Sequence, residues 1–281
     1  MLSYRHAFHA GNHADVLKHF ILVQLLQYLG QKDKPFWYVD THAGAGCYQL
    51  DTGYAAKNAE YLGGIDRLWQ RNDLPEAIQE YVEVVRTFNP DGKLRFYPGS
   101  PMCALNVMRS TDKLRLFELH STDSGLLAEN MRPAGRQVGL QAADGFAGLK
   151  AVLPPPPRRG LILIDPPYED KRDYQRVVAA MQESLQRFAT GTYAIWYPLL
   201  QRHEAMQLPE KLHGVPCKSW LNVSLTVRRP SSDGFGMHGS GMYLFNPPWR
   251  LPELLKEVMP WLTAALAEDD GASYRLDFQM D

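Results

Sequence analysis

Residues 161–168 read Leu-Ile-Leu-Ile-Asp-Pro-Pro-Tyr. The apolar run reads as a short buried strand, and it delivers an acid, two prolines and an aromatic ring at its carboxyl end. Consecutive prolines fix φ and remove two N–H groups, so the turn is rigid and its carbonyls stay available as acceptors. A carboxylate beside a carbonyl matches the two N–H donors of an exocyclic amine, and the Tyr168 ring can stack on a flat heterocycle. The pattern is a receptor for an adenine amino group taken out of its stack. Asp165, Pro166 and Tyr168 are its candidate catalytic residues.

Outward from this strand the chain alternates. Phe36–Val39, LRLFEL (114–119), VGLQAA (138–143) and YAIWY (193–197) are short and apolar, with helix-like or loop stretches between them. That alternation predicts a parallel sheet with helices on both faces. Pro154 to Pro157 form a stiff spacer ahead of the 161–164 strand. WLNVSLTV (220–227) and MYLF (242–245) flank a Gly-rich loop and read as a closing antiparallel hairpin. Residues 14–29 read as a helix, because Val16, Leu17, Phe20, Ile21, Leu25 and Leu29 recur at spacings of three and four. Between 53 and 92 no strand run appears. Ile78, Tyr81, Val82, Val85 and Phe88 mark a helix that Asn89-Pro90-Asp91-Gly92 ends. The expected fold is an α/β, Rossmann-like sheet of about seven strands with the last antiparallel. Residues 1–52 and 93–281 would make one domain, and 53–92 a helical insertion.

Acids recur where a crevice would lie. Glu118 closes one strand, Asp144-Gly145 follows the next, and Asp165 closes the apolar run. In a doubly wound sheet these carboxyl ends line one ligand crevice, and an acid after the second strand suits the two hydroxyl donors of a ribose. Asp40-Thr41-His42-Ala43-Gly44-Ala45-Gly46 follows the first strand with small residues that admit a ligand close to the backbone. It is not the dinucleotide fingerprint: Gln49 stands where the third glycine would be, which disfavours a dehydrogenase.

Composition excludes several classes. The chain has 281 residues, 30 Lys plus Arg against 31 Asp plus Glu, and 45% apolar residues. It is not a generally basic nucleic-acid binder, so any polyanion must meet a local patch. Cys47, Cys103 and Cys217 form neither a disulfide framework nor a CxxC pattern. The opening MLSYRHAFHAGNHADVLKH has no apolar stretch of a secretory signal, and Phe20–Leu29 is about half a membrane span. A cytoplasmic protein with no membrane contact is expected. The opening block interleaves Tyr4, Arg5, His6, His9, His13, Lys18 and His19. His9 and His13 are four apart, but Gly11-Asn12 interrupts them and no cysteine joins them, so no metal is expected. Aromatic and cationic residues in alternation suit single-stranded nucleic acid. Arg158-Arg159, Lys171-Arg172 and Arg228-Arg229 are candidate phosphate contacts, the first two flanking the 165–168 loop.

Taken together, DPPY at 165–168, the Gly-rich 40–46 loop and Glu118 resemble the class I adenine-N6 methyltransferases, which use S-adenosylmethionine. YRHAFHAGNHADVLKH at the start, DTHAGAG, YPGSP (97–101) and NPPW (246–249) resemble the bacterial 23S rRNA adenine-N6 methyltransferase J family across nearly the whole chain. The resemblance implies transfer of a methyl group from S-adenosylmethionine to N6 of an adenine in 23S rRNA. It places the cofactor against His19, His42, Ser100, Glu118, Asp144 and Gly145, with Asp165 bordering it. It places Tyr4, His6 and Lys18 at the substrate RNA. In this arrangement Glu118 takes the ribose hydroxyls and Asp144 the cofactor's adenine amine. Asn246-Pro247-Pro248-Trp249 fits the looser [D/N]PP-aromatic pattern too, but it follows a strand read as antiparallel, whose end lies away from the crevice. A DNA adenine-N6 methyltransferase shares the same chemistry. A binding protein that retains only the cofactor fold is the rival from another class. A protein-glutamine methyltransferase prefers NPPY.

Overall fold

The computed structural model describes residues 6–281. Tyr4, expected at the substrate, lies outside them. Asn12 caps the first helix, α1 (His13–Gly30), its side chain accepting from the amides of Ala14 and Asp15. From His13 to Val23 every residue of α1 is buried. The helix is a rod inside the core rather than an amphipathic surface helix.

β1 (Trp37–Asp40) follows, then β2 (Cys47–Gln49), the short helices α2 (Gly53–Asn58) and α3 (Asp66–Trp69), and α4 (Glu76–Thr87). β3 (Phe96–Pro98) pairs antiparallel with β2 in a two-stranded ribbon that the sequence reading missed. Each strand has only three residues, too few for the alternation that would reveal it. Tyr81, Val82 and Val85 of α4 are buried in the same apolar cluster as Phe20 and Leu25 of α1.

The chain continues through α5 (Ser100–Val107), β4 (Lys113–Phe117), α6 (Ser121–Met131), β5 (Val138–Gln141), α7 (Gly145–Val152) and β6 (Gly160–Ile164). Next come α8 (Arg172–Arg187), β7 (Thr192–Leu199), α9 (His203–His213), β8 (Trp220–Thr226), β9 (Gly239–Phe245), α10 (Leu251–Leu266) and β10 (Ser273–Gln279). The eight-stranded sheet runs β10-β8-β9-β7-β6-β1-β4-β5. β5, β4, β1, β6 and β7 are parallel, while β9 is antiparallel to both β7 and β8, and β10 is antiparallel to β8. The eighth strand, β10, is the edge that sequence reading left unassigned. Its signal is a strict alternation: Tyr274, Leu276 and Phe278 are half-buried between exposed Ser273, Arg275, Asp277 and Gln279.

One apolar cluster joins one face of the sheet to α1, α4, α5 and α10. A second joins the other face to α7, α8 and α9. All five residues of β6 are buried, as a strand covered on both faces must be. From β1 the chain steps outward to β4 and β5, then returns to β6 and β7 on the other side. The order therefore reverses between β1 and β6, and the carboxyl ends of these strands, Asp40 and Asp165, open the crevice where ligands of such sheets sit.

Two motifs fall at the opposite edge. Arg158-Arg159 precede β6, a strand's length from Asp165, so they do not flank the 165–168 loop. Arg159 instead donates to the carbonyls of Leu29 and Lys34 and pins the end of α1. Asn246 follows β9 at the level of Thr192, where β7 begins.

Candidate active site

Lys18 connects the first helix to the sheet. Its side chain is 4% exposed, and its Nζ lies 2.6 Å from Asp165 Oδ2 and 2.9 Å from Asp15 Oδ1. Burial works against its charge, but the two carboxylates hold it protonated, above the ordinary lysine value. Asp15 is wholly buried. Burial opposes its charge as well, yet His6 and Lys18 keep its carboxyl well below the usual range. His6 Nε2 lies 2.9 Å from Asp15 Oδ2, which also accepts from the Gly11 amide. Sequence reading passed over Asp15. Its signal is an Asp and a Lys one turn apart in a helix rich in apolar residues, where pairing makes both charges tolerable.

Two cavities meet at this ion pair. The first is bordered by His19, His42, Ser100, Glu118, Asp144 and Gly145. The second is bordered by His9, Asn12, Asp15, Tyr168, Trp196 and Met237. His6, Lys18, Asp165 and Pro167 border both. Pro167 forms this shared wall, whereas Pro166 is buried and borders neither.

At the head of the first cavity, Asp40 is buried and accepts from Tyr38 Oη at 2.6 Å, Ser100 Oγ at 2.6 Å and the His42 amide at 3.2 Å. It fixes both Ser100 and the 40–46 loop. Glu118 accepts from the Gly44 amide at 2.8 Å and the His120 amide at 2.7 Å, and burial raises its pKa. Asp144 caps α7 by accepting from the Phe146 and Ala147 amides, and its other oxygen pairs with Arg176. Any further donor must share its oxygens with Arg176, another residue the sequence did not single out. At Gly145 a Cβ would stand 2.0 Å from the Thr41 carbonyl oxygen, so only glycine lets α7 approach the loop.

His19 is buried and His42 half-buried beside the cavity, and both are neutral. Burial lowers His42 to about 4 and His19 to about 3. His42 Nδ1 lies 2.8 Å from Thr41 Oγ1, and its ring meets Phe146 edge-on at 5.0 Å. His19 Nδ1 lies 2.8 Å from Tyr97 Oη, while Nε2 is buried with no hydrogen bond among the described residues, 3.9 Å from Asp15 Oδ1.

Tyr168 does not stand open to a ligand. It is 2% exposed, its hydroxyl donates to the Trp196 carbonyl at 2.7 Å, and its ring packs on Tyr174 at 4.6 Å. The more exposed flat ring bordering the second cavity is Trp196 on β7, with Lys18 Nζ 5.8 Å from its centroid. The other basic pairs are engaged. Lys171 pairs with Glu204, Arg228 with Glu268, and Arg229 with Asp270. Among the described residues no group of three or more His, Cys, Asp or Glu could hold a metal ion. No helix among them is long and apolar enough to cross a membrane.

A crevice at a topological switch point, an acid after β4, and a rigid Asp-Pro-Pro-Tyr turn after β6 together define the layout of a class I methyltransferase. The chain belongs to the family described as Ribosomal RNA large subunit methyltransferase D, RlmJ, whose profile matches residues 33–279. The Ribosomal RNA large subunit methyltransferase J of Escherichia coli K12 is 50% identical over 266 residues, covering 95% of this chain and 94% of its own. The protein of the same name from Haemophilus influenzae is 47% identical over 279 residues, covering 99% of each. A crystal structure of a Legionella pneumophila protein superposes with a TM-score of 0.89 at 37% identity, covering 97% of this chain and 99% of that one.

Proposed function

We propose that this chain transfers a methyl group from S-adenosylmethionine to the N6 amine of an adenine in 23S rRNA, in the cytoplasm. The observation that carries the reading is the pair of cavities that meet at Lys18 and Asp165. A transfer between two bound molecules needs two sites with the reacting atoms brought together across a common wall.

The first cavity fits the cofactor. Glu118 offers a carboxylate for a ribose diol, and His19 Nε2, with no hydrogen bond among the described residues, offers a buried polar atom. At Gly44, with φ of 62°, and at Gly145 a Cβ would strike Tyr48 Oη and the Thr41 carbonyl oxygen, so both glycines keep the backbone that borders this cavity in place. His42, Ser100 and Asp144 complete the set of residues that would hold it, with Asp165 at its edge. S-adenosylmethionine supplies a methyl group made electrophilic by its sulfonium.

The second cavity takes the flipped adenine. Trp196 gives it a flat wall on which a base can stack, with Tyr168 behind as a fixed support rather than as the stacking ring itself. Lys18 occupies Asp165 Oδ2, which orients the carboxylate and leaves Oδ1 to accept one N6 hydrogen. Pro166 borders neither cavity, so its carbonyl becomes the second acceptor only if binding of the base exposes it. Accepting both hydrogens turns the nitrogen lone pair away from the ring and toward the first cavity. The proton released on transfer passes to water or to Asp165. His6 and Lys18, bordering both cavities, close the N-terminal block over the reacting centre, with Tyr4 at the RNA.

Labelled methyl transfer to RNA and DNA from cells lacking the protein tests the reading. Label in N6-methyladenosine of large-subunit rRNA is expected. Label only in DNA makes the chain a DNA methyltransferase, and no label in either, with cofactor binding confirmed, overturns the role given to Asp165.

A further inference from the structure

The second cavity does not end at Trp196. Pro198 and Leu200 border both it and a shallow apolar groove completed by Gln201, Met206, Pro230 and His238. This groove lies at the crevice edge of the sheet. β8 and β7 both run antiparallel to β9, so the loop leaving β8 emerges on the same side as the carboxyl ends of β6 and β7. Its base is fastened there. Val227 N donates to the His238 carbonyl, and His238 N donates to the Leu199 carbonyl at 3.1 Å.

The tip of that loop leans toward the groove. A Cβ placed on Gly234 would come within 3.4 Å of Gln201 Oε1. Gly234 and Gly236 both have positive φ, and between them Phe235 is held out to solvent, 79% exposed. Met206, which borders the groove, is 71% exposed. Two large apolar side chains are thus open to a partner, one in the groove and one on the loop whose tip leans toward it. Arg202 beside Gln201 is an exposed cation at the groove, and Arg228 and Arg229 at the root of the loop are exposed and paired with Glu268 and Asp270.

We infer that this groove and the 228–238 loop seat the nucleotide adjoining the target adenine in an unpaired stretch of the RNA. The inference rests on the functional reading above. A base drawn into the second cavity carries its chain neighbours to the cavity's rim, and the apolar wall continuous with that rim is the one at Pro198 and Leu200. Apolar and aromatic surfaces accept the face of any base, while the surrounding cations suit its phosphates. Phe235 and Met206 grip the neighbouring base, and the cavity proper selects adenine.

Because both side chains are exposed, replacing them leaves the core intact. Phe235→Ala and Met206→Asp should each raise KM for protein-free 23S rRNA about tenfold, the scale of one lost stacking contact. Affinity for S-adenosylmethionine should stay that of the unaltered protein. In a single-stranded oligoribonucleotide with one adenine, 4-thiouridine beside that adenine should crosslink to the 228–238 loop or to Met206. Variants with unaltered KM on an RNA that the parent protein methylates overturn the inference and leave the methyltransferase reading standing. So do crosslinks confined to other surfaces, or a defect seen only on protein-containing ribosomal particles, which would assign the groove to a protein. A parent protein that labels no RNA overturns both.

Discussion

Lys18 Nζ stands 2.6 Å from Oδ2 of Asp165, a residue 147 positions further along the chain. The contact joins the first helix to the turn after β6 and binds a fully buried ammonium between two acids. Removing the ammonium leaves Asp165 without a counter-charge and Asp15 with His6 as its remaining side-chain partner. Lys18→Met should lower stability by about 3–5 kcal/mol, the usual consequence of breaking a buried pair from one side. Urea unfolding reads the first effect. Asp165→Ala should slow single-turnover transfer by about 100-fold or more, on the scale of lost positioned proton-handling groups, while cofactor affinity holds. Lost cofactor affinity with unchanged single-turnover chemistry would place Asp165 in the wrong role.

Glu118 already accepts two backbone amides, so its replacement affects the loop and the ligand together. Glu118→Gln should weaken cofactor binding about 10- to 100-fold, the range for one or two hydrogen bonds to a charged group. Calorimetric titration measures this. Because burial raises the Glu118 pKa above that of an ordinary glutamate, cofactor affinity should fall on acidification at a higher pH than such a glutamate would give. Affinity constant down to pH 4.5 would mean that the ionised carboxylate is not the ligand.

Acid should destabilise the fold through its buried histidines. His13, His19 and His42 are lowered by burial from 6.5 to about 4, about 3 and about 4. Between 6.5 and those values the unfolded chain binds protons that the native chain refuses. Their stabilising contribution is therefore full above 6.5 and lost as pH falls toward 4. His9 acts in the opposite sense. Burial lowers its pKa, but the Glu60 hydrogen bond and charge outweigh that and raise it, so its contribution is lost as pH rises through the raised value. Four histidines, His238 among them, act against His9 and the raised carboxyls of Asp40, Glu118 and Asp173, and predict a melting temperature that drops from pH 7 to pH 4.5. His13→Gln should flatten the slope, and a melting temperature that rises on acidification would contradict the assignment.

Asn246 tests whether a look-alike motif has been assigned to the right end of the sheet. Its side-chain amide donates to the Ala189 and Gly191 carbonyls, and its own carbonyl accepts from Thr192 Oγ1. Its φ is 51°, which asparagine tolerates better than most residues. Asn246→Ala should cost about 1–3 kcal/mol through the two carbonyls left without a donor. Its KM and kcat should stay those of the parent protein. A collapse of kcat with stability intact would make 246–249 part of the chemistry.

The features legible in the sequence were those with a local signature. β6 announced itself by four apolar residues, and Glu118, Asp144 and Asp165 by their place after strands. Strand polarity then separated DPPY from NPPW, and the structure places Asn246 at the end expected for it. What stayed hidden depends on distant partners. Asp15 becomes meaningful only when Lys18 and Asp165 stand beside it. Trp196 is a strand residue until Tyr168 proves too buried to serve as the open ring. Asp144 looked available in the sequence, whereas Arg176 of α8 already holds it. β10 had the right alternation, but its charged outer face concealed it.

The burial of α1 has a consequence for how the protein is made. The helix packs on α4 and α5, on β6 and β7, and on β9. Those partners are spread over residues 76–245, so a helix made before all of them is among the last to be covered. Until β9 is synthesised, a segment of 18 residues, apolar around nearly its whole circumference, has no complete place to go. Its lysine meanwhile has no acid at position 165 to meet. Nascent chains cut short before residue 239 should bind chaperones through this helix, and release should coincide with the arrival of the strand that closes over it.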